Sequence, residues 1–250
     1  MFKNMAHGLA VLTLALAPIA APSPASAVPA PEPAAEVMRL SLALDRLPVA
    51  EESRAGYTRD GFTFWNAGLD PADGCDTRAE VLLAEATEAP PVAAGCRLGE
   101  GEWLSYYDGQ EVTDPRSLAV DHLVPPAEAW DSGAYAWTAS RRDAYANDQG
   151  AGVSLVAVTA RVQRSKADRD PRDWMPPSPE ATCRYIAEWT GTKLRWGLSA
   201  DQAEADALNV YAQGPCQNAV HAYAPESHAS AGGTRWSTAR DLGSVTSWPS

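Results

Sequence analysis

Positive charge is scarce in this chain. Twenty lysines and arginines stand against 32 aspartates and glutamates, a net charge of −12, one unit more negative if Lys3 leaves with a cleaved leader. Nucleic-acid binders carry a basic face, so the shortage confines any such contact to a local patch with weak, salt-sensitive binding. Histidine is scarcer still. Of the four present, His7 lies in the leader and His221 and His228 lie near the C-terminus, which leaves His122 alone in the middle of the chain. That distribution excludes a histidine-rich zinc cage, and the lack of any CxxC spacing excludes a cysteine one. Past the leader, no apolar run approaches the roughly 20 residues needed to cross a bilayer.

What is present points outward from the cell. Lys3, the apolar run Leu9 to Ala20 and the small-x-small signal Ala25-Ser26-Ala27 make residues 1–27 a secretory signal peptide, with Val28 starting the mature chain. Residues 28–35 (VPAPEPAA) are too rich in proline and alanine to pack, and form a flexible leader. An exported, extracellular protein without a membrane anchor is expected. Cys75, Cys96, Cys183 and Cys216 are even in number and all exported, so two disulfides are expected. Three pairings are open. Cys75–Cys96 with Cys183–Cys216 is favoured because each closes a short local loop.

Residues 36–220 read as one domain of α+β class and residues 221–250 as a loosely ordered tail. Val37, Leu40, Leu44 and Leu47 at helical spacing predict a helix over Glu36 to Leu47. A second helix follows the capping residues Asp76 or Thr77. Val92–Leu98 and Glu102–Tyr107 predict a hairpin around Gly99 to Gly101. Strands are predicted over Leu118–Val124 and Ser154–Thr159, with a helix capped by Thr138 between them and the short helix Ala160–Ala167 after them. Two helices, Glu180–Trp196 and Ala200–Ala212, complete the domain.

The chemistry concentrates between Val120 and Pro176. Asp121 and His122 are adjacent at a strand end, Asn147 lies in the following loop, and Gln163 opens the short helix, beside Arg161, Arg164 and Lys166. A histidine has the intrinsic pKa of a base near neutrality, and an Asp oxygen suits Mg²⁺ or Mn²⁺ better than zinc.

The strings CDTRAEVL, DHLVPPAEAWDSGA, RRDAYAND and RSKADRDPRDWMPP, spread from about Tyr57 to Trp196, resemble the HNH endonuclease family. The resemblance is to its exported bacterial members, related to the C-terminal nuclease domain of GmrSD-type restriction enzymes. It implies a ββα-metal core with an added N-terminal hairpin and flanking helices. It also implies a monomeric secreted enzyme that uses one divalent cation, Mg²⁺ first and Mn²⁺ second, to hydrolyse phosphodiester bonds in DNA and secondarily RNA. His122 would be the general base and Asn147 would fix it. Asp121 and Gln163 would hold the metal, and Lys166, Arg161 and Arg164 would hold substrate phosphate. Gln163 stands where the family has Asn or His, and its amide reaches one methylene further. That departure, with the acidic surface, motivates the alternative of an exported binding module that keeps the fold without the activity.

Overall fold

The fold is that of a computed structural model, which describes residues 35–226; the signal peptide and most of the leader and tail fall outside them. In chain order the elements are β1 (Glu36–Arg39), α1 (Leu40–Leu44), α2 (Thr77–Glu85), β2 (Val92–Ala93), β3 (Arg97–Leu98), β4 (Trp103–Ser105), β5 (Gln110–Val112) and β6 (Leu118–His122). After these come α3 (Pro126–Asp131), α4 (Ala139–Ala146), β7 (Leu155–Thr159), α5 (Ala160–Lys166), α6 (Thr182–Trp196), α7 (Gln202–Gln213) and β8 (Val220–Tyr223). The strands of the described residues form four two-stranded antiparallel sheets, β1–β8, β2–β3, β4–β5 and β6–β7.

The β6–β7 hairpin lies between two apolar cores, and its alternation explains how. Leu118 and Val120 of β6, with Leu155 and Ala157 of β7, face the smaller core, where Val81 and Leu82 of α2 and Trp103 of β4 meet them. Val156 and Val158 face the larger core, built on Tyr185, Trp189 and Trp196 of α6, Leu208 of α7 and Leu40 and Leu44 of α1. Side chains of neighbouring strand residues point to opposite faces, so a strand buried on both sides must be apolar at nearly every position, as LAV and LVAV are. Two polar tethers dock α2 on the hairpin: Arg78 donates to the Leu118 carbonyl at 3.1 Å, and Glu85 accepts the Ala157 N–H at 2.7 Å.

Helix ends follow their local chemistry. Asp76, Thr138, Thr159 and Asp201 cap α2, α4, α5 and α7 through side-chain oxygens, and Gly197, at φ 64°, closes α6 in the left-handed conformation. The cap of α7 is Asp201, not Ser199, so that helix starts two residues later than its periodicity suggests.

Three expectations are corrected, two by a partner distant in sequence and one by local turns. The segment predicted as one helix from Glu36 begins as strand β1, because Val220–Tyr223 pairs with it in the register Glu36↔Tyr223 to Arg39↔Val220. By the same pairing the ordered fold runs past His221, where the tail was expected to begin. The expected hairpin around Gly99 to Gly101 is also replaced. Its turns fall instead at Gly95 (φ 71°) and Gly109 (φ 65°), giving two consecutive small hairpins. A positive φ is cheap only for glycine, so the turn glycines decide the pairing.

Both disulfides form with the favoured pairing, Cys75–Cys96 and Cys183–Cys216. The second joins α6 to the loop behind α7 across 33 residues. Replacing Cys183 and Cys216 together by alanine is expected to lower stability by about 3–4 kcal/mol through loop-closure entropy. Urea unfolding checks this, and an unchanged midpoint would contradict it.

Candidate functional site

Adjacent residues of β6 part company. Asp121 turns into the larger core. Its Oδ2 accepts from the Lys166 ammonium at 2.6 Å and from the Tyr107 hydroxyl at 2.9 Å, and the Gln163 side chain adds a further interaction that favours the charged form. Lys166 also donates to the His122 carbonyl at 2.8 Å. Lys166 is 0% exposed and Asp121 4%. Burial raises the Asp121 pKa and lowers that of Lys166, and each charge partly offsets the effect on the other. Breaking such a pair is far costlier than its net contribution, because it strands a desolvated charge.

His122 turns the other way, into a cage of rings. Phe64 lies edge-on at 5.4 Å, Trp65 is tilted at 5.7 Å and Tyr145 is stacked at 6.3 Å between centroids. Its Nε2 lies 2.9 Å from the Ala146 carbonyl. A carbonyl can only accept, so Nε2 carries the proton and the ring's lone pair is on Nδ1; no described residue donates to it. Burial is the largest influence on the ring and pushes its pKa down to about 4, with the Ala146 bond opposing and the Lys166 and Arg59 charges adding to the fall. At neutral pH the ring is therefore an uncharged acceptor.

The remaining predicted residues separate into scaffold and surface. Asn147 does not touch His122. Its Nδ2 donates to the Thr63 and Asp143 carbonyls at 2.7 and 2.9 Å, and its Oδ1 accepts the Asn66 N–H at 3.0 Å. It staples the 63–66 segment, which carries Phe64 and Trp65, to the end of α4, and the backbone of its neighbour Ala146 does the orienting. Lys166 is a core residue and cannot reach a substrate. Arg161 is exposed and lies 3.6 Å from Asp108. Arg161 and Arg164 line an open depression shared with Arg116, Asp114 and Glu111, so its charge is mixed.

Sequence reasoning missed Arg59, Phe64 and Trp65. Arg59 is exposed, has its guanidinium 4.3 Å from the Phe64 ring centre, and has no ion-pair partner among the described residues. Trp65 has φ 57°, a conformation uncommon outside glycine. The aromatic string YTRDGFTFW was the available signal, but nothing in it reveals that it wraps a histidine 57 residues away.

The donor set tests whether a divalent cation fits. Asp121 and Gln163 do lie together, but an ammonium already sits 2.6 Å from the carboxylate. Magnesium requires six near-octahedral oxygens and usually keeps several waters. One buried carboxylate and one amide beside a competing cation do not supply that, and the residues do not fit a resident metal. A second acidic group, Glu52, Glu128 and Glu204, is likewise occupied by the Lys193 ammonium.

Fold and site together define a disulfide-stapled domain of helices and small antiparallel sheets built around a caged neutral histidine. The chain is 36% identical over 200 residues to an uncharacterized secreted protein of Arthroderma benhamiae, an alignment covering 80% of this chain and 94% of the relative. It belongs to the family of that fungal secreted protein. This corrects the resemblance to the exported bacterial HNH proteins, which rested on short strings. No protein-family model matches the chain, and no solved structure matches it. The protein is secreted, in keeping with its relative and its two disulfides. No helix among the described residues is long and apolar enough to cross a membrane.

Replacing Lys166 by methionine is expected to destabilise the fold by about 3–5 kcal/mol, the cost of an orphaned buried carboxylate. Arg161→Ala should change stability by less than about 0.5 kcal/mol, as exposed pairs do. Chemical denaturation of both variants checks this, and equal effects would contradict the assignment of Lys166 to the core.

Proposed function

We propose that this secreted protein hydrolyses phosphodiester bonds in nucleic acid, with His122 as the general base. One observation carries the reading: the Ala146 carbonyl holds the Nε2 proton, which puts the lone pair on Nδ1 of a ring kept neutral by burial. A general base needs that lone pair and a positioned ring. A nucleophilic water gives its proton to Nδ1 as its oxygen attacks phosphorus; the P–O bond to the leaving oxygen breaks, and that oxygen takes a proton from solvent. Arg59, exposed over the Phe64 ring and with its charge bearing on His122, supplies the cation both for substrate phosphate and for the charge that grows on the phosphorane. No step is assigned to a metal, because Asp121 is held by Lys166. Binding would be weak and sensitive to salt, given the acidic surface.

That same Lys166–Asp121 pair favours a second reading, a secreted binding module without catalysis. Incubation of the protein with plasmid DNA and with single-stranded RNA at low salt, in EDTA or in Mg²⁺, separates the two. The hydrolase reading expects cleavage in EDTA, a loss of about 10²–10⁴-fold in His122→Ala, and retention in Arg161→Ala. Because the base works unprotonated and its pKa is pushed down to about 4, the acidic limb of the rate profile should fall near pH 4 instead of near the ordinary histidine value. Cleavage seen only with Mg²⁺ would overturn the metal-free step, and no cleavage by a folded protein in any buffer would leave the binding module.

A further inference from the structure

The segment from Pro48 to Arg54 has no regular secondary structure, yet it is strapped down along its length. Ala200 donates to the Pro48 carbonyl and Ala50 to the Ala200 carbonyl, both at 2.9 Å. Arg54 makes a two-oxygen contact with Asp131 at 2.7 Å, at the end of α3. Between these ties, Glu52 reaches under the strap to Glu128 of α3 and Glu204 of α7, with oxygens of all three within 4.8 Å of one another.

The cluster holds more negative charge than its surroundings neutralise. The cation in contact is Lys193 of α6, which donates to Glu128 at 2.8 Å and also reaches Glu204, Ser132 and the Ser199 carbonyl. Glu128, Glu204 and Lys193 are all buried. Glu52 is half-buried, and three carboxylates crowded around one ammonium, two of them buried, resist ionising together. The hydrogen bonds show where a proton must sit. Glu204 receives Lys193 on Oε2 and the Trp189 indole on Oε1. Glu128 receives Lys193 and Ser132 on Oε1. Among the described residues no donor reaches Glu52, and its Oε1 is buried without a partner. The other charged groups bearing on the cluster are the Arg54–Asp131 pair and, around Glu128, Lys166 and Asp170.

We propose that Glu52 is protonated at neutral pH and donates its proton to the Glu128 carboxylate, and that this one proton latches the 48–54 strap, which alkaline solution releases. The latch reaches the candidate site through the chain. The strap runs on into Tyr57, packed on Trp130 at 5.9 Å between centroids, and then into Arg59, Phe64 and Trp65, the wall of the His122 cage. The proposal does not depend on what His122 does.

The sign follows from the burial of Glu52, which with the neighbouring Glu128 pushes its pKa up to about 8 from the ordinary carboxyl value of 4.5. Between those values the folded state holds one proton more than the unfolded chain. Stability therefore falls as pH rises through that window and ceases to change on this account above it. Glu204 is raised too, but its two donors favour its charged form, so Glu52 is the group that keeps the proton.

Glu52→Gln tests the latch, since an amide keeps a donor for Glu128 and cannot ionise. Thermal melts of the full secreted chain from about pH 5 to 9.5 should show wild type and Glu52→Gln melting together at the acid end. The variant should then gain on wild type by several degrees up to about pH 8, with a constant gap beyond. Glu52→Ala, which has no donor, should melt below wild type at pH 5. Parallel curves for wild type and Glu52→Gln, or an alanine variant indistinguishable from wild type at pH 5, would overturn the proposal.

Discussion

The Lys166 ammonium, sealed from solvent and shared between the Asp121 carboxylate and the His122 carbonyl, is the constraint on which the centre of this fold depends. It fastens the last turn of α5 to the last two residues of β6 and so closes the strand–strand–helix unit. Desolvating both charges costs several kcal/mol for each ion, and the arrangement is tolerable only because Tyr107 and a backbone carbonyl complete the hydrogen bonding. Once formed, it decides the chemistry available nearby. Asp121 is withdrawn from any cation other than Lys166, and His122 faces the other way.

That division gives the site its character. The histidine is buried among rings, with the Lys166 and Arg59 charges nearby, and both favour the neutral imidazole. Its tautomer is set by one backbone carbonyl. The carbonyl is itself placed by α4, whose end Asn147 ties to the 63–66 segment bearing two of the rings. Scaffold and cage are thus one structure. Outside it, the disulfides tie down the less regular segments: Cys75–Cys96 joins the approach to α2 with the small hairpins, and Cys183–Cys216 fastens the chain leading to β8 onto α6.

Much of this was legible in the sequence where the causes are local. The helix caps at Asp76 and Thr138, the apolar runs of β6 and β7, and the disulfide pairing all rest on neighbours in sequence or on short loops. What was not legible depends on distant partners. Nothing in EVMR announces a strand until VHAY is known to lie beside it. Lys166 reads as surface charge within RSKADR, yet it is the one basic residue of that run folded wholly inward, because the helix places it under β6 with Asp121 opposite. The Asp121-His122 pair read as one site, whereas the alternation of a strand buried on both faces sends the two side chains apart. Asn147 lay one residue from the group that orients the imidazole, a distinction that composition and spacing do not resolve.

The central claim is that His122 is a neutral, Nε2-protonated imidazole with its lone pair on Nδ1. Imidazole nitrogen and carbon shifts in an isotope-labelled sample, followed by NMR across the acid range, test it directly. The account predicts a ring that stays in the Nε2–H tautomer and takes up a proton only near pH 4. A His122 that titrates at the ordinary value of about 6.5, or that carries its proton on Nδ1, would contradict it.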